Sequence, residues 1–225
     1  MARAAVTPEA RRARMVADQL RGRDITDRVV LEAFARVPRE AFVDAALADQ
    51  AYDDAPLPIG DDQTISQPYV VAMTMQAMFL AGTERVLEIG TGSGYAAAIL
   101  GAMVAEVDTI ERIDHLAEAA ARRLARLGFA NVHVHQADGT LGWPTNAPYE
   151  AICVAAGAPK PPPSLLRQLA IGGRLVLPHG PAERQRLVRI TRIADATFHE
   201  EDLGEVRFVP LVGAEGWPEP SPARV

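Results

Sequence analysis

Hydrophobic positions along the chain change their spacing between its first and its second part. Over Thr7–Phe42 they recur at helical intervals, and Thr7-Pro8-Glu9 is typical of a helix start with proline at the first helical position. This pattern predicts two short helices that break near Gly22. The following stretch, Asp44–Gln67, is dense in proline, glycine and aspartate, which indicates an irregular segment of functional length.

After Arg85, short apolar runs alternate with amphipathic helical stretches. The predicted strands are Val86–Ile89, Glu106–Ile110, Val132–His135, Ala151–Ala155 and Arg174–Leu177, and the predicted helices are Gly94–Met103 and Ile113–Leu127. Strands separated by helices imply crossover connections. The fold is therefore predicted to be α/β, with a doubly wound, mostly parallel sheet and helices on both faces. Two further strands, Arg186–Arg192 and Val206–Leu211, lack a long helix between them and predict a C-terminal antiparallel pair.

Composition and charge narrow the class of protein. The 225 residues are 48% hydrophobic, and 23 basic against 29 acidic residues give a net charge of −6. This balance does not favour nucleic acid as a partner. The longest apolar stretches fall short of the roughly 20 residues that span a bilayer, so no membrane segment is expected. The single cysteine, Cys153, excludes an intrachain disulfide, and with no secretion signal in the N-terminal sequence we expect a cytoplasmic protein.

A glycine-rich loop follows the first strand of the predicted sheet. Glu88–Tyr95 reads E-I-G-T-G-S-G-Y, in which glycines at 90 and 92 allow a ligand to approach the backbone. The spacing G-x-G-x-G differs from the G-x-G-x-x-G of dinucleotide sites. It favours a cofactor without a pyrophosphate, and S-adenosylmethionine fits. An oxidoreductase with a nicotinamide cofactor is the disfavoured alternative.

Acidic residues end the next two predicted strands. Glu111 can accept both hydroxyl protons of a ribose, and Asp138, followed by Gly139, can accept from an adenine amino group. Alone, Glu111 could be an acid near a helix start, and Asp138 could be a turn former. Suitable groups at three successive strand ends make a shared cofactor site the better interpretation.

No metal site is predicted. His133 and His135 alternate with valines and face one side of a strand, yet the sequence shows no further ligands beside them. A half-exposed histidine pair on a strand is the better interpretation. Cys153 lies within an apolar strand, where a buried, inert thiol is expected.

Segments along nearly the whole chain resemble the protein-L-isoaspartate O-methyltransferase family. The segments are VPREAFVD at Val37–Asp44, AYDDAPLPIGDDQTISQPYVVA at Ala51–Ala72, VLEIGTGSGY at Val86–Tyr95, IER at Ile110–Arg112, QLAIGGRLVLP at Gln168–Pro178 and RFVPL at Arg207–Leu211. The glycine loop is common to many methyltransferases, whereas TISQP after PLPIG and the late RFVPL are specific. The chain departs from the family pattern in the proline run Pro159–Pro163 and at His179, beside the expected substrate rim.

The resemblance implies a repair enzyme. It would transfer a methyl group from S-adenosylmethionine to the α-carboxyl of L-isoaspartyl residues in damaged proteins and peptides, leaving S-adenosylhomocysteine. Ser66 would be the active-site serine, and Gln67 and Val212 would join it in binding the substrate, flanked by Phe208–Leu211. The cofactor residues would be Thr64, Ile65, Gly90, Thr91, Gly92, Ser93, Glu111, Arg112, Asp138 and Gly139.

The chemistry of this reaction agrees with the absence of an obvious catalytic triad. A carboxylate is already a nucleophile at neutral pH, so positioning and removal of water dominate over base catalysis. Ser66 would orient the carboxylate. A same-fold enzyme that methylates aspartate in a modified peptide natural product, and a binding protein without catalysis, are the alternatives.

These expectations also set the organisation of the chain. We predict one domain over residues 1–225, acting as a monomer. Residues 1–80 would form the N-terminal helices and a covering loop, 81–180 the cofactor-binding core, and 181–225 the C-terminal strands and tail.

Overall fold

Helices occupy the start of the chain in a computed structural model that describes residues 6–219. Helix α1, Pro8–Arg14, continues as a π-helix over Met15–Arg21, and after a break at Gly22 helix α2 covers Arg28–Arg36. The predicted pair of helices and its break are confirmed. Of the predicted domain, 1–5 and 220–225 lie outside the described residues.

The stretch predicted as irregular contains a small hairpin. Short 3₁₀ helices at Arg39–Phe42 and Ala45–Gln50 precede an antiparallel pair, β1 (Leu57–Gly60) and β2 (Gln63–Ile65), and helix α3 (Pro68–Ala77) follows. Strands of three and four residues are too short to show alternation, so the sequence pattern does not indicate them. The hairpin brings residues 59–66 to one end of the main sheet.

The main sheet has seven strands in the order β5-β4-β3-β6-β7-β8-β9. Neighbours from β5 to β7 are parallel, whereas β7, β8 and β9 pair antiparallel. The predicted doubly wound, mostly parallel fold is confirmed. The strands are β3 Arg85–Ile89, β4 Glu106–Glu111, β5 Val132–Gln136, β6 Tyr149–Val154, β7 Leu169–His179, β8 Gln185–Ala194 and β9 Thr197–Val206; the helices are α4 Tyr95–Gly101, α5 Asp114–Arg126 and α6 Pro163–Gln168.

One predicted strand was wrong. Val206–Leu211 is not the partner of β8, because β9 reverses directly after β8 and ends at Val206. β9 is an edge strand that carries a run of acidic residues. It lacks the alternation of apolar and polar positions that predicts a strand, so the sequence pattern does not indicate it. Pro210 also removes a strand amide from the predicted segment. Residues 207–212 instead cross the end of β6, where Pro210 makes an isolated bridge with Gly157.

Alternate residues along the strands pack into two different hydrophobic layers. Val86, Val107 and Cys153 pack with the N-terminal helices and α4, whereas Leu87 and Ile152 pack in the second layer with α6. The predicted burial of the Cys153 thiol is confirmed. Between β5 and β6 the connection contains only single-turn helices, at Gly139–Leu141 and Pro144–Asn146.

Residues 6–219 contain neither a membrane-spanning helix nor a cluster of metal-binding side chains. None of the helices there combines the length and apolar character needed to cross a membrane. No group of three or more His, Cys, Asp or Glu side chains gathers there as a metal site. His133 and His135 instead pair with Glu106 at 2.8 Å and Asp108 at 2.7 Å on the neighbouring strand.

Candidate functional site

A cavity of about 840 Å³ opens at the carboxyl ends of β3 and β6. These adjacent strands lie where the strand order reverses, which is where α/β sheets bind ligands. Two predicted site residues, Gln67 and Asp138, are not part of the cavity wall. The predicted residues in the wall are Thr64, Ile65, Ser66, Gly90, Thr91, Gly92, Ser93, Glu111, Arg112, Gly139 and Val212.

The loop between β3 and α4 lines the cavity with backbone. Gly90 has a φ of +92° and Gly92 a φ of +51°, values that side chains with a Cβ rarely allow. The Gly90 amide donates to the carbonyl of Ile110 at 2.8 Å, which fastens the loop to β4. A ligand can therefore lie directly against a rigid stretch of main chain.

Glu111 ends β4 with a buried, oriented carboxylate. One oxygen accepts the amide of Gly92 at 2.9 Å, and the other accepts the amide of Ile113 at 3.0 Å. Each oxygen retains acceptor capacity, because a carboxylate oxygen has a second lone pair. The geometry is compatible with the ribose role, which stays a prediction.

Glu88 is a wall residue to which sequence reasoning assigned no role. Its side chain is fully buried, and Oε2 accepts the hydroxyl of Thr109 at 2.6 Å. The Thr91 hydroxyl lies 2.6 Å from that of Thr109, and it must be the donor there, because Thr109 gives its only hydrogen to Glu88. Oε1 has no hydrogen-bond partner within the described part of the chain, and burial raises the pKa of Glu88 to about 8. In the sequence, such a site residue is indicated by an acidic residue within the otherwise apolar run V-L-E-I.

Ser66 lies at the opposite side of the cavity, directly after β2. It is half-buried, and its carbonyl accepts a hydrogen bond from Nη2 of Arg39 at 2.8 Å. Gln67, the next residue, is the N-cap position of α3 and makes no capping bond with its side chain. Its predicted contact with substrate stays a prediction.

Residues 208–219 contribute a further part of the wall. The carbonyl of Gly157, just beyond β6, accepts the Leu211 amide at 2.9 Å and the Trp217 indole N–H at 2.9 Å. Phe208–Leu211 and Trp217 line the cavity as a result. The proline run Pro159–Pro163 and His179 are not part of the wall.

Asp138 fastens this C-terminal segment. Its Oδ1 accepts the amide and hydroxyl of Thr140 at 2.9 and 2.7 Å, and its Oδ2 accepts the Ala214 amide at 2.8 Å. Burial opposes ionisation, but the bonds from Ala214 and Thr140 lower the pKa of Asp138 overall. The adenine role predicted for Asp138 stays a prediction, whereas its clamping contacts are visible in the structure.

Two polar side-chain contacts cross the rim of the cavity. His115 on α5 pairs with Asp61 in the hairpin turn, and Arg112 after β4 pairs with Glu219 in the C-terminal segment. The hairpin and the C-terminal segment, which cover the cavity, are thus both attached to residues that follow Glu111.

Sequence comparison identifies relatives along almost the whole chain. A model of the protein-L-isoaspartate(D-aspartate) O-methyltransferase family matches residues 10–216. A protein-L-isoaspartate O-methyltransferase of Rhodopseudomonas palustris is 56% identical over 210 residues, covering 93% of this chain and 96% of the relative. One from Marinobacter nauticus is 57% identical over 205 residues, covering 91% of this chain and 94% of the relative.

Solved structures share the fold. A protein-L-isoaspartate O-methyltransferase superposes with a TM-score of 0.84 at 31% identity, covering 91% of this chain and 67% of its own. A Plasmodium falciparum structure that bears the same enzyme name, in complex with S-adenosyl-L-homocysteine, superposes with a TM-score of 0.76 at 23% identity. The latter covers 86% of this chain and 95% of its own, and it supports the fold alone.

Proposed function

The chain belongs to the protein-L-isoaspartate(D-aspartate) O-methyltransferase family, and from that premise we propose how its cavity divides the work of methyl transfer. The enzyme methylates isoaspartyl carboxyl groups of damaged proteins and peptides with S-adenosylmethionine as donor. The observation that carries the proposal is a single cavity with the glycine loop and Glu111 on one side and Ser66 on the other.

The cofactor end fits S-adenosylmethionine. The free, buried Oε1 of Glu88 suits the ammonium group of the methionine part, and the backbone around Gly90 and Gly92 accommodates its carboxylate. Glu111 is assigned to the ribose. Further residues assigned to this end are Thr64, Ile65, Thr91, Ser93, Arg112, Asp138 and Gly139.

The acceptor end holds the isoaspartyl carboxylate. When bound, the cofactor supplies a methyl group on a positively charged sulfur. A carboxylate oxygen forms the new bond to that methyl as the bond to sulfur breaks, and no proton moves. Ser66 orients the carboxylate by donating its hydroxyl, with Gln67 and Val212 beside the peptide. Positioning and exclusion of water are the main contributions of the protein.

Further proposals concern the state of the enzyme. The N-terminal helices share one hydrophobic layer with the sheet, which supports a single domain over the chain. We propose a monomer that acts in the cytoplasm, in keeping with its one cysteine, which is buried.

The test is methyl transfer from labelled S-adenosylmethionine to paired peptides that differ only in an isoaspartyl or an aspartyl linkage. We expect label in the isoaspartyl peptide alone. Equal labelling of both peptides, or of neither beside an active control enzyme, would refute the function. Labelling restricted to aspartate of a modified peptide would favour the same-fold alternative.

A further inference from the structure

Arg39 is a fully buried arginine next to the acceptor end of the cavity. It follows Pro38 in a single-turn helix, and its side chain has no solvent exposure. Its Nε donates to the carbonyl of Ala51 at 2.7 Å, and its Nη2 donates to the carbonyl of Ser66 at 2.8 Å. One guanidinium therefore joins both ends of residues 51–66, the stretch that contains the hairpin.

The charge of Arg39 lacks a carboxylate partner. Within residues 6–219 its hydrogen bonds of 3.5 Å or less go only to backbone carbonyls, and Nη1 is buried without such a bond. The Tyr95 hydroxyl also interacts with the guanidinium, but it is a neutral group. The acidic group that acts on it from a distance, Asp54, is itself paired with Arg23 at 3.1 Å. Burial lowers the pKa of Arg39, yet an arginine stays charged at neutral pH.

Such a residue is unusual, because buried charges in proteins are normally paired. Hydrogen bonds to two carbonyls do not require an arginine's charge, and a neutral amide side chain could donate to one of them. The charge is placed beside residues that line the cavity: the guanidinium carbon lies 4.7 Å from the ring centre of Tyr95, the first residue after the glycine loop, and Nη2 contacts Ser66.

We propose that Arg39 is a positioning and specificity residue for the acceptor, which fixes Ser66 through its carbonyl and supplies the positive potential that selects an ionised carboxylate over a neutral group. Arg39 is not part of the cavity wall, so it acts through Ser66 and through space. Because the guanidinium is fully buried, this potential is screened less than that of a surface charge. The inference rests on the proposed placement of the isoaspartyl carboxylate at Ser66.

The experiment measures the dissociation constants of two peptides for the full-length enzyme saturated with S-adenosylhomocysteine, so that no turnover occurs. One peptide carries the isoaspartyl α-carboxylate, and the other carries a carboxamide at the same position. The ratio of the two constants reports the charge preference, and a general loss of packing at Ser66 does not change it selectively.

We expect the wild-type enzyme to bind the carboxylate at least about tenfold more tightly than the carboxamide. In Arg39→Met that preference should fall to about threefold or less, whereas Arg39→Lys, which keeps the charge, should retain most of it. Arg192→Met is the matched control: Arg192 also donates to a backbone carbonyl, that of Leu169 at 2.6 Å, but none of its hydrogen-bond partners within residues 6–219 lines the cavity. Its preference should equal that of the wild type.

A wild-type enzyme without carboxylate preference, or a folded Arg39→Met with an unchanged preference, overturns the inference. So does an Arg39→Lys enzyme that loses the preference as fully as Arg39→Met. Where Arg39→Met does not bind S-adenosylhomocysteine, Arg39→Gln takes its place, since its amide can donate to one of the two carbonyls. Failure of the proposed function is distinguishable, because in the labelling experiment the wild-type enzyme would then label neither peptide or both equally.

Discussion

The two ends of the cavity are built in different ways. At the cofactor end, the glycine loop and Glu111 follow parallel strands, and backbone bonds such as that of Gly90 to Ile110 fix their positions. At the proposed acceptor end and in the C-terminal segment, irregular stretches are held by single side chains. Arg39 holds the carbonyl of Ser66, and Asp138, itself assigned to the cofactor end, holds the amide of Ala214. The register of the sheet fixes the positions of the residues at the cofactor end, whereas the positions at the acceptor end depend on a few separate side-chain contacts.

This difference predicts a division of effects. Changes at the strand ends should alter binding of S-adenosylhomocysteine, and changes at Ser66 or in residues 207–219 should alter the use of peptide. A substitution that impairs both functions equally would show that the two ends are not separate.

The largest effect is expected for Glu111→Ala. Loss of the carboxylate leaves two ribose hydroxyls and the Gly92 amide without their acceptor, a cost of about 1–3 kcal/mol. Calorimetric titration should show affinity for S-adenosylhomocysteine reduced by about tenfold or more. Glu106→Ala, at the exposed start of the same strand, is the control and should bind normally. Unchanged binding by Glu111→Ala would reject the ribose role.

Ser66→Ala should lower kcat/KM for an isoaspartyl peptide by about tenfold. Removing a donor where negative charge develops costs about 10²–10³ in other enzymes, but here the carboxylate loses charge as it reacts, so the effect is smaller. Affinity for S-adenosylhomocysteine should stay within about twofold. Full activity at subsaturating peptide would refute the role, and loss of cofactor binding would place Ser66 at the other end.

Glu88 should make cofactor binding depend on pH. Its pKa of about 8 in the folded protein lies above its ordinary value of 4.5, so between these values the folded state holds a proton that the unfolded state releases. The free energy of unfolding therefore falls as pH rises through that window, while S-adenosylhomocysteine, whose ammonium prefers ionised Glu88, binds more tightly.

From about pH 6 to about pH 8 the affinity should increase by about tenfold, measured by titration in buffers of equal ionic strength. Glu88→Gln cannot ionise and should remove this slope. The same slope in wild type and variant would exclude Glu88 as its source.

Asp138→Asn is expected to have the smallest effect. The oxygen of the substituted side chain can still accept the bonds from Thr140, but its NH₂ group would face the N–H of Ala214, so that hydrogen bond is lost. We expect the free energy of unfolding to fall by about 1 kcal/mol. Denaturant titration measures this change, and KM for peptide should rise by roughly threefold as the C-terminal segment loosens. A tenfold loss of affinity for S-adenosylhomocysteine with normal stability would instead support the adenine role.

The contrast between the two ends also explains what the sequence could predict. Parallel strands and their crossover helices have strong periodicity, so β3, β4 and the loop at Gly90 follow from pattern alone. Ser66 was found only by family resemblance, since a serine before Gln-Pro has no distinctive physical pattern. Arg39 was missed as a site residue, because its contacts with Ala51 and Ser66 exist only after the hairpin folds.

Whether the two ends act separately is tested most directly by combining Ser66→Ala with Glu111→Ala. Within residues 6–219, Ser66 and Glu111 share no hydrogen-bond partner, so their effects should add. The double variant should bind S-adenosylhomocysteine as Glu111→Ala does, and its loss in kcat/KM, expressed as free energy, should equal the sum of the single losses within about 0.5 kcal/mol. A double variant no worse than either single one, or one in which Ser66→Ala further weakens cofactor binding, would contradict the division of the site.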